Sequence, residues 1–202
     1  MSTISDSEMS DVARNVIKAE IGALQSTLSA IDSNFIETCR QFISCKGKIL
    51  VTGSGTSGNA AQRVAHLLSV GGTPAFFLSP SDGLHGGLGV LRKDDLVLAL
   101  SKGGSSAELN DFCARARQLC GGLVVVTSTK VSPLTEQADW VVLLPLADDA
   151  DLGNVVATGS SLAAGAIWAR AMRCSRLASD CSAESNDRLR ASIASTLRVS
   201  PR

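Results

Sequence analysis

Five short apolar runs alternate with stretches of helical periodicity, and that alternation restricts the chain to few architectures. The runs are 48–52, 73–78, 95–100, 123–127 and 140–144. They are continuously apolar rather than alternating, as strands buried on both faces are. Between them, Ala60, Ala61, Val64, Ala65, Leu67 and Leu68 mark one helix face, stopped by Gly71-Gly72. Leu109, Phe112, Cys113, Ala116 and Leu119 mark another, stopped by Gly121-Gly122. The alternation predicts an α/β domain: a parallel sheet flanked by helices on both faces. With 202 residues, 45% of them hydrophobic, one well-filled core is the expectation.

Three segments rich in glycine and small hydroxyls punctuate this pattern. They are Gly53-Ser54-Gly55-Thr56-Ser57-Gly58, Ser101-Lys102-Gly103-Gly104-Ser105-Ser106 and Thr158-Gly159-Ser160-Ser161. Each stands before or at the start of a helical stretch, and the first two follow predicted strands. Backbone N–H groups at a helix N-terminus point toward an anion placed there. One such turn alone reads as an N-cap. Two at the carboxyl ends of neighbouring parallel strands read as a site for a phosphate, because open parallel sheets bind ligands at that edge. The candidate ligand residues are Ser54, Thr56, Ser57, Ser101, Lys102, Ser105, Ser106 and Thr158. Lys102 either adds a cation near the phosphate or is solvated.

Composition excludes other classes. Nineteen basic residues balance nineteen acidic ones and form no stripe, which argues against a nucleic-acid surface. No apolar run approaches the ~20 residues that span a bilayer. The polar, acidic N-terminus does not read as a secretory signal. Six cysteines without a CxxC pair predict free thiols in a reducing, cytoplasmic setting. Two histidines, neither at ligand spacing from a cysteine, give no metal site, and no cofactor is expected.

The ends of the chain are read as helical. Val12, Val16, Ile17, Ile21, Leu24, Leu28 and Ile31 form one face of an N-terminal helix, and Asp32 or Ser33 caps a second. That stripe either packs on its own domain or forms an interface. The expected organisation is N-terminal helices over 1–45, the α/β domain over 46–180 and a C-terminal helix or tail over 181–202. A long Ala-rich helix is predicted over 158–177.

With these segments placed, residues 45 to 175 resemble the sugar isomerase (SIS) domain, closest to arabinose 5-phosphate isomerases without their CBS domains. The first loop, Gly-x-Gly-x-Ser-Gly, is met by Gly53, Gly55, Ser57 and Gly58. A Gly-Thr-Pro strand start is met by Gly72-Thr73-Pro74. A His-Gly-x-Leu-Gly block is met by His85-Gly86-Gly87-Leu88-Gly89. The second loop, Ser-x-x-Gly-x-Ser-x-Glu, is met by Ser101, Gly104, Ser106 and Glu108. The chain departs from the family where Thr56 replaces a usual lysine, and no histidine follows His85. On an ungapped reading, Asp149 stands for a family glutamate.

The resemblance implies a five-stranded parallel sheet in a flavodoxin-like three-layer sandwich, a sugar-phosphate ligand and a homodimer or homotetramer. It also implies aldose–ketose isomerisation through an enediol(ate). Glu108 is then the candidate base, His85 the group for ring opening or oxygen protonation, and Asp149 a further acid/base group. Bland readings stand beside these. Glu108 with Ser105 fits a capping box, His85 is a surface loop histidine, and Asp149 is one carboxylate of a solvated turn. His66, on the first crossover helix, serves packing or an interface. The departures leave two alternatives open: a non-catalytic phosphosugar-binding module, or a lyase or etherase acting on an amino-sugar phosphate.

Overall fold

The computed structural model describes residues 5–144. The five apolar runs become β1 (Ile49–Thr52), β2 (Ala75–Phe77), β3 (Leu96–Leu100), β4 (Gly122–Thr127) and β5 (Trp140–Leu143). They form one sheet in the order β2-β1-β3-β4-β5, and every pairing is parallel. All residues of β1 and β3 are buried, which is why their sequences show no polar alternation.

The period of two survives in which layer each side chain joins. Ile49, Val51, Leu96, Leu98 and Leu100 pack with Phe42, Ala61, Val64 and Leu68 on one face. Leu50, Val97, Ala99, Leu123 and Val125 pack with Phe112, Cys113 and Ala116 on the other. The first layer is built from α2 (Ser33–Ser44) and α3 (Gly55–Val70), the second from α4 (Pro80–Leu84) and α5 (Ala107–Leu119). Phe42 and Phe112 are essentially inaccessible; each contributes on the order of 2 kcal/mol or more by leaving water. α4 lies so close to α5 that a Cβ on Gly83 would sit 2.1 Å from the Phe112 ring.

At the amino end of the sheet, buried Asp95 ties β1 to β3. Its Oδ1 accepts from the Lys48 backbone N–H (2.9 Å), and its Oδ2 accepts from Lys48 Nζ (2.6 Å) and the Arg92 N–H (2.7 Å). Burial pushes this carboxyl up, yet the bonds from Lys48 and Arg92 outweigh that and hold its pKa below the usual carboxylate range.

Several expectations are refined. Asp32, rather than Ser33, caps α2, its Oδ1 accepting from the Phe35 N–H at 2.9 Å. The 73–78 run is a strand only over Ala75–Phe77, because Pro74 has no N–H and the Thr73 N–H closes α3 on Leu68 O. After β2 the chain forms a short helix: Ser79 caps α4 through the Asp82 N–H and Pro80 stands in its first turn. The N-terminal stripe lies on α1 (Asp6–Ser26) and the 3₁₀ turn after it, yet Val12, Ile17, Ile21, Leu28 and Ile31 remain exposed. Their packing on the domain's own described residues is not observed. The predicted 158–177 helix, the 181–202 tail, Asp149 and Thr158 lie outside the described residues.

Candidate functional site at the carboxyl rim of the sheet

The strand order reverses between β1 and β3: the chain leaves β1 for β2 on one side and returns to β3 on the other. Loops leaving adjacent strands at such a point diverge to opposite faces and open a crevice at the carboxyl edge. The two hydroxyl-rich segments are those loops. Thr52 and Ala99 are register partners at the strand ends, so the loops start side by side.

The first loop tucks against β3 because position 53 lacks a side chain. A Cβ there would lie 2.9 Å from both Leu100 O and Ser57 O, all of it backbone. Gly55 then turns with φ of 56°, where L side chains are strained, and α3 begins. Ser54 occupies the N-cap but makes no capping bond. Its Oγ is buried without a partner, as is the Oγ1 of Thr52 just before it. Thr56 is exposed and Ser57 half-buried.

The second loop is fixed through its carbonyls. Lys102 O accepts from the Ser128 N–H (3.1 Å), Thr127 Oγ1 (3.0 Å) and Thr129 Oγ1 (3.3 Å). Gly104, at φ of 65°, turns its carbonyl to the Leu134 N–H and Asn110 Nδ2, both at 3.2 Å. Ser106 O accepts from the Asn110 N–H and Nδ2, both at 2.9 Å. Three alternate carbonyls are thus held by the protein. The hydroxyl of Ser101 accepts from the Gly104 N–H at 3.1 Å, leaving its own proton to donate. Ser105 is exposed, and Ser106 is the N-cap of α5, again without a capping bond.

The helix starts differ in how they are capped. Asp32 and Ser79 cap their helices through the side chain; Ser54 and Ser106 do not. The Ser105–Glu108 capping box is not formed, since Ser106 holds the N-cap position. Hydroxyls at the rim are left uncommitted, while the N-termini of a 16-residue and a 13-residue helix begin there. Such ends carry partial positive charge and favour an anion.

Glu108 is exposed in the first turn of α5, and His85 is exposed at the C-cap of α4. Since α4 and α5 share one layer, Glu108 and His85 stand on the same face of the sheet. Lys102 is exposed. His66 is exposed on α3, so it does not pack in the core. The sequence reading overlooked Thr52, Asn110 and Gln137. Asn110 and Gln137 carry no motif; the orphan hydroxyl of Thr52 was signalled only by a polar residue ending an apolar strand.

Elsewhere, an open hollow of about 450 Å³ lies at the amino end of β1 and β2, lined by Lys48, Ser69, Thr73, Pro74 and Phe76 among others. None of the candidate site residues lines it. Among the described residues, no group of His, Cys, Asp and Glu is placed to hold a metal ion, and no helix is long and apolar enough to cross a membrane.

Comparison with known proteins places this rim in context. The family profile described as SIS domain matches residues 42–171. Arabinose 5-phosphate isomerase KdsD of Pseudomonas aeruginosa is 36% identical over 127 residues, 63% of this chain and 39% of that protein. The Escherichia coli K12 protein of the same name is 29% identical over 156 residues, 77% of this chain and 48% of that one. The chain thus spans less than half the length of these curated relatives. Among solved structures, an Escherichia coli CFT073 protein in complex with arabinose 5-phosphate has a TM-score of 0.79 at 26% identity, covering 84% of this chain and 92% of that chain. A candidate sugar-phosphate isomerase of Listeria monocytogenes has a TM-score of 0.82 at 29% identity, covering 91% and 97%.

Proposed function

This chain belongs to the SIS-domain family, and on that premise we propose that it is a phosphosugar aldose–ketose isomerase whose substrate phosphate sits at the carboxyl rim of β1 and β3. The observation that carries the reading is the pair of helix-start serines, Ser54 and Ser106, that do not cap their helices at adjacent strand ends. The phosphate is held by Ser54, Ser57, Ser101, Ser105 and Ser106, with Thr56, Lys102 and Thr158 as further candidate ligands. The relatives named arabinose 5-phosphate isomerase, and the solved neighbour bound to that sugar phosphate, support a pentose phosphate as the first substrate to try.

Isomerisation needs one base at carbon and one acid near the oxygens. Glu108 takes the proton from C2 of the open-chain aldose, and the electron pair moves to give an enediol(ate). Glu108, its proton exchangeable with solvent at this stage, then delivers a proton to C1 while O2 becomes the ketone, so no external oxidant or reductant enters. His85 opens the sugar ring and moves the oxygen proton, the general acid–base work that histidine most often does. Asp149 is the further acid/base candidate. The exposed apolar stripe on α1 is covered in a homodimer or homotetramer, in the cytoplasm, and light scattering on the purified chain measures that assembly.

The test is proton exchange at C2 of arabinose 5-phosphate in D₂O, followed by NMR, with a panel of pentose, hexose and heptose phosphates beside it. Exchange and a ketose product are expected with at least one member. Saturable binding with no exchange across the panel would instead make the protein a phosphosugar-binding module, the reading that Thr56 in place of a lysine motivates.

A further inference from the structure

We propose that Asn110 is a positioning residue for the phosphate, acting through the second loop rather than by contact; the inference rests on the sugar-phosphate reading above. Asn110 lies one turn into α5, half-buried beneath the loop. Its amide Nδ2 donates to Gly104 O at 3.2 Å and Ser106 O at 2.9 Å. An amide nitrogen has two protons, and both are used on the loop. The remaining acceptor, Oδ1, receives Nε2 of Gln137 at 3.3 Å, and the same Nε2 donates to Pro133 O at 3.0 Å.

The orientation of Gln137 is informative. Its Oε1 is buried with no partner, a costly arrangement for an amide oxygen. Flipping the amide would set that oxygen against Asn110 Oδ1 and Pro133 O, two acceptors, so the present orientation is the better one. Gln137 thereby fixes the Asn110 amide with its nitrogen toward the loop, a chain that runs from Gln137 to Asn110 to the loop carbonyls.

The consequence lies in what those carbonyls would otherwise do. An anion is repelled by carbonyl oxygens and attracted by N–H groups and hydroxyls. With the carbonyls of Gly104 and Ser106 drawn toward Asn110, the peptide units between them present the N–H and hydroxyl side of Ser105 outward. Both carbonyls also keep a backbone donor, from Leu134 and from Asn110 itself. Truncating the side chain therefore orphans neither carbonyl. Its effect falls on loop orientation more than on stability.

The experiment titrates wild type, N110A, N110D and Q137M with inorganic phosphate and with arabinose 5-phosphate, and records each melting temperature without ligand. N110A is expected to weaken both ligands by the same factor, about tenfold, the scale of a hydrogen bond or two. Its melting temperature should stay within a few degrees of wild type. N110D, which sets a carboxylate against two carbonyls, is expected to bind more weakly still, and Q137M to fall between wild type and N110A. Variants that bind both ligands within twofold of wild type overturn the proposal. So does a loss confined to arabinose 5-phosphate with phosphate affinity intact, since the residue would then act at the sugar end. If N110A does not fold, Q137M decides on the same criteria. A wild type that binds neither ligand fails differently: it removes the sugar-phosphate reading itself.

Discussion

Gly104→Ala probes the second loop most sharply, because the structure sets two separate obstacles to it. The residue has φ of 65°, in the left-handed region, and an added Cβ would lie 2.1 Å from Ser132 Oγ and 2.7 Å from Ser132 Cβ. The left-handed conformation costs an alanine about 1 kcal/mol. The overlap adds about 2 kcal/mol, because rotating the hydroxyl away still leaves Cβ against Cβ. Ser132 is itself anchored: its Oγ accepts from the Thr135 N–H at 3.2 Å, and its own N–H donates to Thr135 Oγ1 at 2.8 Å. G104A should therefore lose about 3 kcal/mol, and S132G alone about 1 kcal/mol for the lost hydroxyl bonds and added flexibility. The double variant removes the overlap and keeps the rest, so it should be less destabilised than G104A. A non-additivity of about 2 kcal/mol is expected from urea denaturation of all four proteins followed by circular dichroism. Strict additivity, or a G104A that is as stable as wild type, would refute the packing described for this loop.

Other perturbations test other parts of the account. E108Q should lower turnover of the true substrate by ~10²–10⁴-fold with little change in phosphate affinity; full turnover would remove Glu108 as the base. Asp95 is held below the usual carboxylate range by Lys48 and Arg92, so its stabilisation is present above the unfolded-state pKa of ~3.9 and is lost as pH falls through the lower folded value. D95N should cost about 3 kcal/mol at neutral pH and flatten the acid limb of a pH–stability curve; an acid limb identical to wild type would contradict this role. Burial, and secondarily neighbouring Cys120, pushes the Cys113 thiol up to about 12, and burial pushes Cys39 up to about 11. Native protein at pH 8 should leave Cys113 unmodified by iodoacetamide and urea-unfolded protein should not, as read by mass spectrometry; rapid native labelling would mean that α5 does not cover this face.

The layers of the fold were legible because both faces of the central strands are buried: short, continuous apolar runs such as Ile49–Thr52, each followed by a glycine-rich turn or a helical stretch, are what such strands look like. Strand order was not legible, since β1 and β3 read alike and only the crossovers place them side by side. The rim was legible as glycine and hydroxyl, but not which hydroxyls stay uncommitted. Ser54 and Ser106 look like caps by type, as Ser79 does, and only geometry separates them. Asn110 gave no signal, because an asparagine within a helix is equally at home facing solvent. The α1 stripe was legible as apolar, while its exposure depends on what packs against it, which a sequence does not carry.

The most direct measurement is a crystal structure with arabinose 5-phosphate bound, read for where the phosphorus lies. The phosphorus is expected at the carboxyl edge, with phosphate oxygens within hydrogen-bond reach of the Ser105 N–H and of the hydroxyls of Ser54 and Ser106. A phosphate seated instead in the hollow lined by Lys48, Thr73 and Phe76, at the other end of the strands, would contradict it.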